Sequence, residues 1–120
     1  MEFYELKIWQ KGYELVLEIY KVTAKYPKEE RYGLVSQTRE AANSIIAQIA
    51  EAHGRFSFAD RIRVLYQSRG EAEEVRSHLR VACGINYLSD KDFSNLDDEY
   101  AGLGKGINSY IRSLSRYKKP

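Results

Sequence analysis

Residues 93–117 read FSNLDDEYAGLGKGINSYIRSLSRY. Apolar side chains at Phe93, Leu96, Tyr100, Leu103, Ile107, Tyr110, Ile111, Leu114 and Tyr117 recur by threes and fours. That spacing lines one face of an α-helix and makes the clearest bundle-type seam in the chain. Such a seam needs other helices to cover it, because an isolated helix draws little stability from propensity alone. Three further helical segments lie upstream, and no Val/Ile/Thr-rich alternating run with hairpin turns competes with them. The expected helices cover about 5–26, 32–54, 58–88 and 90–117. Short connections between helices of similar length predict an all-α, antiparallel up-down-up-down four-helix bundle, one domain over 1–120. Gly102, Gly104 and Gly106 weaken the middle of the last helix, which is expected to be loose there.

The third segment carries Ile62, Leu65, Ala72, Val75, Leu79, Ala82 and Cys83 at helical spacing. Ser57-Phe58-Ala59-Asp60 resembles a capping box at its start. Gly70 inside it costs about 1 kcal/mol against alanine, so it is read as serving close packing or a local bend. The second segment is small in profile, with Ala41, Ala42, Ser44, Ala47, Ala50 and Ala52 beside Ile45, Ile46 and Ile49. Small side chains let neighbouring helices approach closely. The first segment shows two apolar stripes. Leu6, Trp9, Tyr13, Val16, Leu17, Tyr20 and Ala24 form one, and Ile8, Leu15, Ile19, Val22 and Tyr26 form the other. A helix in a small monomer needs one apolar face. The second stripe therefore reads as a subunit interface, against the plainer alternative that it meets the chain's own loops or stays partly exposed.

With 120 residues, 43% hydrophobic and 30% charged, the chain reads as folded rather than disordered. The formal charge of +2 comes from 19 basic and 17 acidic residues, too balanced to announce a nucleic-acid binder without local clustering. The single cysteine, Cys83, forms no intrachain disulfide and suits a reducing compartment. No apolar run is long enough to span a membrane, and MEFYELKIWQKG lacks the basic start and apolar block of a signal peptide. Cytoplasm is the expected location.

At residues 44–57, SIIAQIAEAHGRFS, an apolar helix runs out into Glu, His, Gly and Arg. Gly54 reads as a left-handed helix stop, His53 as a last-turn residue favoured by the helix dipole, and Ser57 as the next N-cap. A plain helix–turn–helix corner explains these residue types without catalysis. Ile49-Ala50-Glu51-Ala52-His53-Gly54-Arg55 resembles the N-I-A-E-G-x-x-R corner of the 23S rRNA intervening-sequence protein family. Phe3, Leu6 and Trp9 are similar to its opening F-x-x-L-x-x-W, and Tyr26 to Leu34 resembles its F-P-x-x-E-x-Y-G-L linker. Gln37 to Ile45 resembles Q-x-R-R-A-A-x-S-I. Arg69-Gly70 with Glu74 is similar to R-G-S-x-x-E, and Gly84 to Leu88 fits the end of that helix. Gln48, Ala52 and Glu71 depart from the family's asparagine, glycine and serine. The resemblance spans nearly the whole chain. It implies a four-helix bundle that forms a homo-oligomer, with a pentamer the expected form, and it suggests association with RNA or another nucleic acid.

Enzyme signals are weak. Di-iron bundles need Glu-x-x-His pairs, whereas Glu74 and His78 are four apart. His53, His78 and Cys83 make no zinc spacing, and no Gly-rich phosphate loop with a lysine occurs. Arg76 and His78 stand too close for the Arg-x4-6-His pattern of helical ribonucleases. Neither Ser44 nor Ser68 has a local triad motif. The expectation is a non-enzymatic protein with no cofactor and no metal. Arg69 falls on the apolar side of its helix and needs a partner, so Glu51, Arg55, Arg69 and Glu74 are read as a structural ion-pair network fixing helix register at the corner, with a ligand or RNA contact there as the functional alternative. Candidate nucleic-acid contacts are Arg55, Arg61, Arg63, Arg76 and Arg80 around the third helix, and Arg112, Arg116, Lys118 and Lys119 at the C-terminus. An oligomer would repeat each patch and make weak sites multivalent. The alternative is a scaffold for an unidentified protein, without nucleic-acid affinity.

Overall fold

The computed structural model describes the backbone of residues 1–118 and the side chains of residues 1–117. Four α-helices occupy Lys7–Thr23 (α1), Leu34–Gly54 (α2), Phe58–Gly84 (α3) and Asp90–Lys118 (α4), and there is no strand among the described residues. Single 3-10 turns at Phe3–Glu5 and Lys28–Glu30 precede α1 and α2. The helices pack as an elongated bundle of 52 × 23 × 20 Å. Each helix packs on its neighbour in sequence, and α1 also meets α4. The α2–α3 interface is the most extensive and the α1–α4 interface the least.

Local chemistry sets the ends. Ser57 Oγ accepts the Asp60 amide at 3.1 Å and caps α3 as the sequence predicts. Ser89 Oγ accepts the Asp92 amide at 3.1 Å and caps α4, where Asp90 and Asp92 suit the positive end of the helix dipole. Two ends fall short of expectation. α1 stops at Thr23 rather than Tyr26. The Lys25 and Tyr26 amides reach only three residues back, to Val22 and Thr23, since the residue before Pro27 is pushed out of helical geometry. α3 stops at Gly84 rather than Leu88 because Asn86 turns left-handed at φ 67°. The Asn86 amide then bonds the Cys83 carbonyl and the Tyr87 amide bonds that of Ala82, satisfying the last carbonyls of the helix.

Two glycine readings are corrected, the left-handed stop at Gly54 and the close packing at Gly70. No glycine among the described residues has positive φ, so Gly54 ends α2 in right-handed geometry and the chain leaves extended at Arg55. A Cβ at Gly70 would meet nothing within 4 Å, so that residue serves no close approach. α4 runs unbroken through Gly102, Gly104 and Gly106. Close approaches fall elsewhere: a Cβ at Gly106 would stand 3.3 Å from Ile8 Cγ2, and the tightest place between helices is Gly12. A Cβ there would stand 2.5 Å from Ile46 Cγ2 and 3.7 Å from Leu103 Cδ2, so glycine lets α1 lie against α2 and α4.

The core holds Ile19 from α1, Ile45 and Ile49 from α2, Leu65, Val75 and Leu79 from α3, and Tyr100 and Ile107 from α4. Buried Ala41, Ala42, Ala52 and Ala72 keep α2 and α3 close, and Ser68 Oγ donates across the seam to the Ile45 carbonyl at 2.9 Å. The two faces of α1 are not as the sequence suggested. Leu15, Ile19 and Tyr26 of the expected interface stripe are buried in the core, with Ile8 and Val22 half-buried beside it. Tyr13, Leu17 and Tyr20 are the exposed apolar residues of this helix. The physical reason is that Gly12 and Thr23 complete the core-facing arc, which a count of apolar residues leaves incomplete.

Candidate nucleic-acid interface

Folding brings two separate basic clusters to one end of the bundle. Phe58 at the start of α3 meets Tyr117 near the end of α4, with ring centroids 6.2 Å apart. Arg61 lies over the Phe58 ring at 5.3 Å, and its Nε donates to the Arg55 carbonyl at 2.7 Å. Arg55, Arg61 and Arg63 therefore share this tip with Arg116, which adjoins Tyr117, and with Arg112 one turn earlier. Phe56 is 99% exposed and Tyr117 is exposed at the same end. Cations interleaved with accessible aromatic faces suit a nucleic-acid strand, which offers phosphates and base planes together. Lys119 and the side chain of Lys118 lie outside the described residues.

Carboxylates temper the patch. Arg55 Nη2 pairs with Glu51 at 2.5 Å, and that contact raises the guanidinium pKa further. Arg63 is 3.9 Å from Asp60, and Arg112 donates to Ser109 Oγ at 3.1 Å. The other α3 arginines stand apart from the tip. Arg76 holds Asp97 of α4 by two hydrogen bonds, at 2.8 and 3.2 Å, and Glu73 at 3.0 Å. Its guanidinium keeps the Asp97 carboxyl below its ordinary value of 3.8. Arg80 approaches Asp97 at 3.7 Å and lies over Phe93 at 4.9 Å. Arg76 is thus a tie between helices, and Arg80 is partly committed to the same carboxylate.

The four-residue corner network does not form. Glu51 and Arg55 pair with each other, but Arg69 donates to Asn108 Oδ1 of α4 at 2.7 Å and lies over the Tyr66 ring at 4.8 Å. Half-buried Arg69 is satisfied by an amide and an aromatic face rather than a carboxylate, and Glu74 faces His78 at 3.8 Å. His53 Nε2 lies 2.8 Å from the Met1 carbonyl oxygen, so the corner histidine fastens the start of the chain. Burial pushes the Glu71 carboxyl above the usual range and Glu74 adds to this, while Ser44 of α2 and His78 oppose it. Among the described residues no group of three or more His, Cys, Asp or Glu side chains could hold a metal ion. No helix of the described residues is long and apolar enough to cross a membrane.

A second region escaped the sequence reading. At the opposite end, Arg39 of α2 reaches back to the end of α1. Its Nε donates to Thr23 Oγ1 at 2.9 Å and its Nη2 to the Tyr20 carbonyl at 3.4 Å, while its guanidinium lies 4.4 Å over the Tyr20 ring. A cation here suits the negative end of the α1 dipole. Arg31 lies 5.4 Å from the centre of the Tyr32 ring, and the four residues line one open hollow of about 650 Å³. Its parts come from α1, the linker and α2, so no local motif announces it. The pairing of Arg31 with Tyr32 beside a glycine was the only signal.

These features define a helical-bundle protein with a basic aromatic tip. The chain belongs to the 23S rRNA-intervening sequence protein family, which it matches over residues 4–109. It is similar to the crystal structure of a protein of unknown function from the S23 ribosomal protein family of Bacteroides thetaiotaomicron VPI-5482. That match has a TM-score of 0.81 at 23% identity and covers 88% of this chain and 95% of the other. It establishes the shared fold. No curated protein matches the chain. Two of the departures from the family pattern are built into the interior: Ala52 is buried, and the Gln48 side-chain carbonyl is buried without a hydrogen-bond partner.

Proposed function

We propose that this protein is a non-enzymatic, cytoplasmic bundle that associates with RNA through its basic tip and repeats that tip in a homo-oligomer. The observation that carries the reading is the meeting of Phe58 and Tyr117, which joins the α3 arginines to those of α4. Phosphate contacts from Arg61, Arg63, Arg112 and Arg116 would supply affinity without base specificity. Helix order within the bundle is up-down-up-down in this reading. The α1–α2 linker touches the α3–α4 linker through Tyr87 Oη and Glu30 Oε2 at 3.1 Å, which supports it. Oligomerisation would use Tyr13, Leu17 and Tyr20, exposed on one face of α1, with a pentamer the form the family resemblance favours. The same stripe also favours a second reading, a protein scaffold without RNA affinity.

A salt titration of binding to a structured rRNA fragment separates the two, using protein of verified oligomeric mass. The RNA reading expects affinity that falls steeply with salt as counterions are released. Arg61→Gln with Arg116→Gln should reduce the slope of log K against log salt by about 1 for each phosphate that is no longer neutralised. Absence of binding at low salt would overturn the RNA reading and leave the scaffold.

A further inference from the structure

The hollow at the linker end has a chemistry of its own. Two guanidinium groups, Arg31 and Arg39, and two phenol rings, Tyr20 and Tyr32, line one open cavity of about 650 Å³. Arg39 is held in place by Thr23 and the Tyr20 carbonyl, so one cation is fixed before any ligand arrives. Asn43 Nδ2 donates to Tyr20 Oη at 3.1 Å and fixes that ring as well. Arg31 is the exposed, adjustable partner, and no ion pair among the described residues engages either arginine. Tyr32 is 85% exposed, which leaves ring surface accessible beside the guanidinium. One carboxylate, Glu40, also lines the hollow.

We propose that this hollow binds a ribonucleotide, with its phosphate between Arg31 and Arg39 and its base stacked on Tyr32. Paired guanidiniums match phosphate oxygens with directed hydrogen bonds. An accessible phenol ring stacks on any base. The carboxylate sorts among anions. Beside a bare phosphate Glu40 is repulsive, whereas a ribose offers hydroxyl donors that it can accept from. A ribonucleotide therefore fits better than inorganic phosphate or a phosphorylated side chain. The ligand is either free or part of a single strand, since both present the same phosphate, sugar and base. The site lies at the end remote from the Phe58–Tyr117 tip and stands whether or not that tip binds RNA.

The test is a titration of the full chain followed by amide NMR, using adenosine monophosphate, adenosine, inorganic phosphate, phosphotyrosine and a short oligoadenylate as separate probes. The expected result is saturable shifts over residues 31–44 with the monophosphate, weaker ones with adenosine or phosphate alone. Tyr32→Leu and Arg31→Gln, both at exposed positions, should each weaken binding about tenfold while leaving the melting temperature unchanged. Arg61→Gln with Arg116→Gln should leave these shifts intact, which separates this site from the tip. Tighter binding of the oligoadenylate identifies a strand as the source, and equal binding identifies the free nucleotide. Phosphate or phosphotyrosine binding as tightly as the monophosphate would overturn the proposal, as would shifts that survive both hollow variants.

Discussion

The α2–α3 seam and the seat of α1 are built on different principles. Between α2 and α3, alanines at 41, 42, 52 and 72 bring the helices close, and Ser68 bonds the Ile45 carbonyl inside the seam. α1 is held by fewer and more scattered devices. Gly12 lets it approach Ile46 and Leu103, Arg39 caps its end, and exposed Lys11 pairs with Glu99 of α4. A groove of about 690 Å³, lined in part by Leu17, Val22 and Leu96, remains open between α1 and α4. An interior of close-packed small and branched residues supplies stability, while an exposed ion pair adds little. The bundle thus has a firm half and a lightly held half, and the light half carries the exposed Tyr13, Leu17 and Tyr20.

Truncations break or sharpen this contrast. Leu79→Ala, at a fully buried position of α3, should cost about 2–5 kcal/mol, with Leu15→Ala on α1 nearer the bottom of that range because its surroundings can collapse into the groove. Urea midpoints at constant m compare the two, and equal losses would erase the asymmetry. Two glycines come next. Gly12→Ala gains helix propensity but drives a methyl into the stiff branch of Ile46, for a net loss of about 1–2 kcal/mol. Gly70→Ala meets open space and should stabilise by up to about 1 kcal/mol. Thermal melts that reverse this order would refute the placement of α1.

The smallest effect is electrostatic. Asp97→Asn should cost about 1 kcal/mol at neutral pH, since solvent screens much of the Arg76 pair. The folded carboxyl titrates below 3.8, so its stabilisation is complete above that ordinary value and fades as pH falls through the folded one. Wild type should accordingly lose stability on acidification that the Asp97→Asn protein has already lost. Parallel acid curves for the two would show that the Arg76 pairing contributes nothing.

Much of the fold was readable. The seam of α4 and the Ser57 cap follow from spacing and side-chain chemistry that act locally. The face of α1 was not readable, because its core arc runs through Gly12 and Thr23. Neither residue scores as apolar, yet one is buried for its small size and the other because Oγ1 bonds the Ile19 carbonyl at 2.6 Å. The spacing from Gly12 through Leu15, Val16 and Ile19 to Thr23 and Tyr26 was the available signal. Of the candidate site, the arginines could be named from the sequence as candidate nucleic-acid contacts, but the groups they meet in the fold could not. Arg69 found Asn108 and Arg76 found Asp97, both on α4, and no rule of sequence separation pairs those helices. The Arg31–Arg39 hollow was hidden for the same reason.

The turn between α2 and α3 also bears on how the chain reaches its fold. Only Arg55, Phe56 and Ser57 separate two long helices, so their packing closes the shortest loop available for the most extensive interface. Contacts near in sequence lose little chain entropy before they reward it, and they dominate the rate of small helical proteins. Contact order thus predicts the α2–α3 hairpin as the nucleus of folding, with α4 adding to its open side. α1 and α4 are far apart in the chain, and the same argument predicts that their seam closes last.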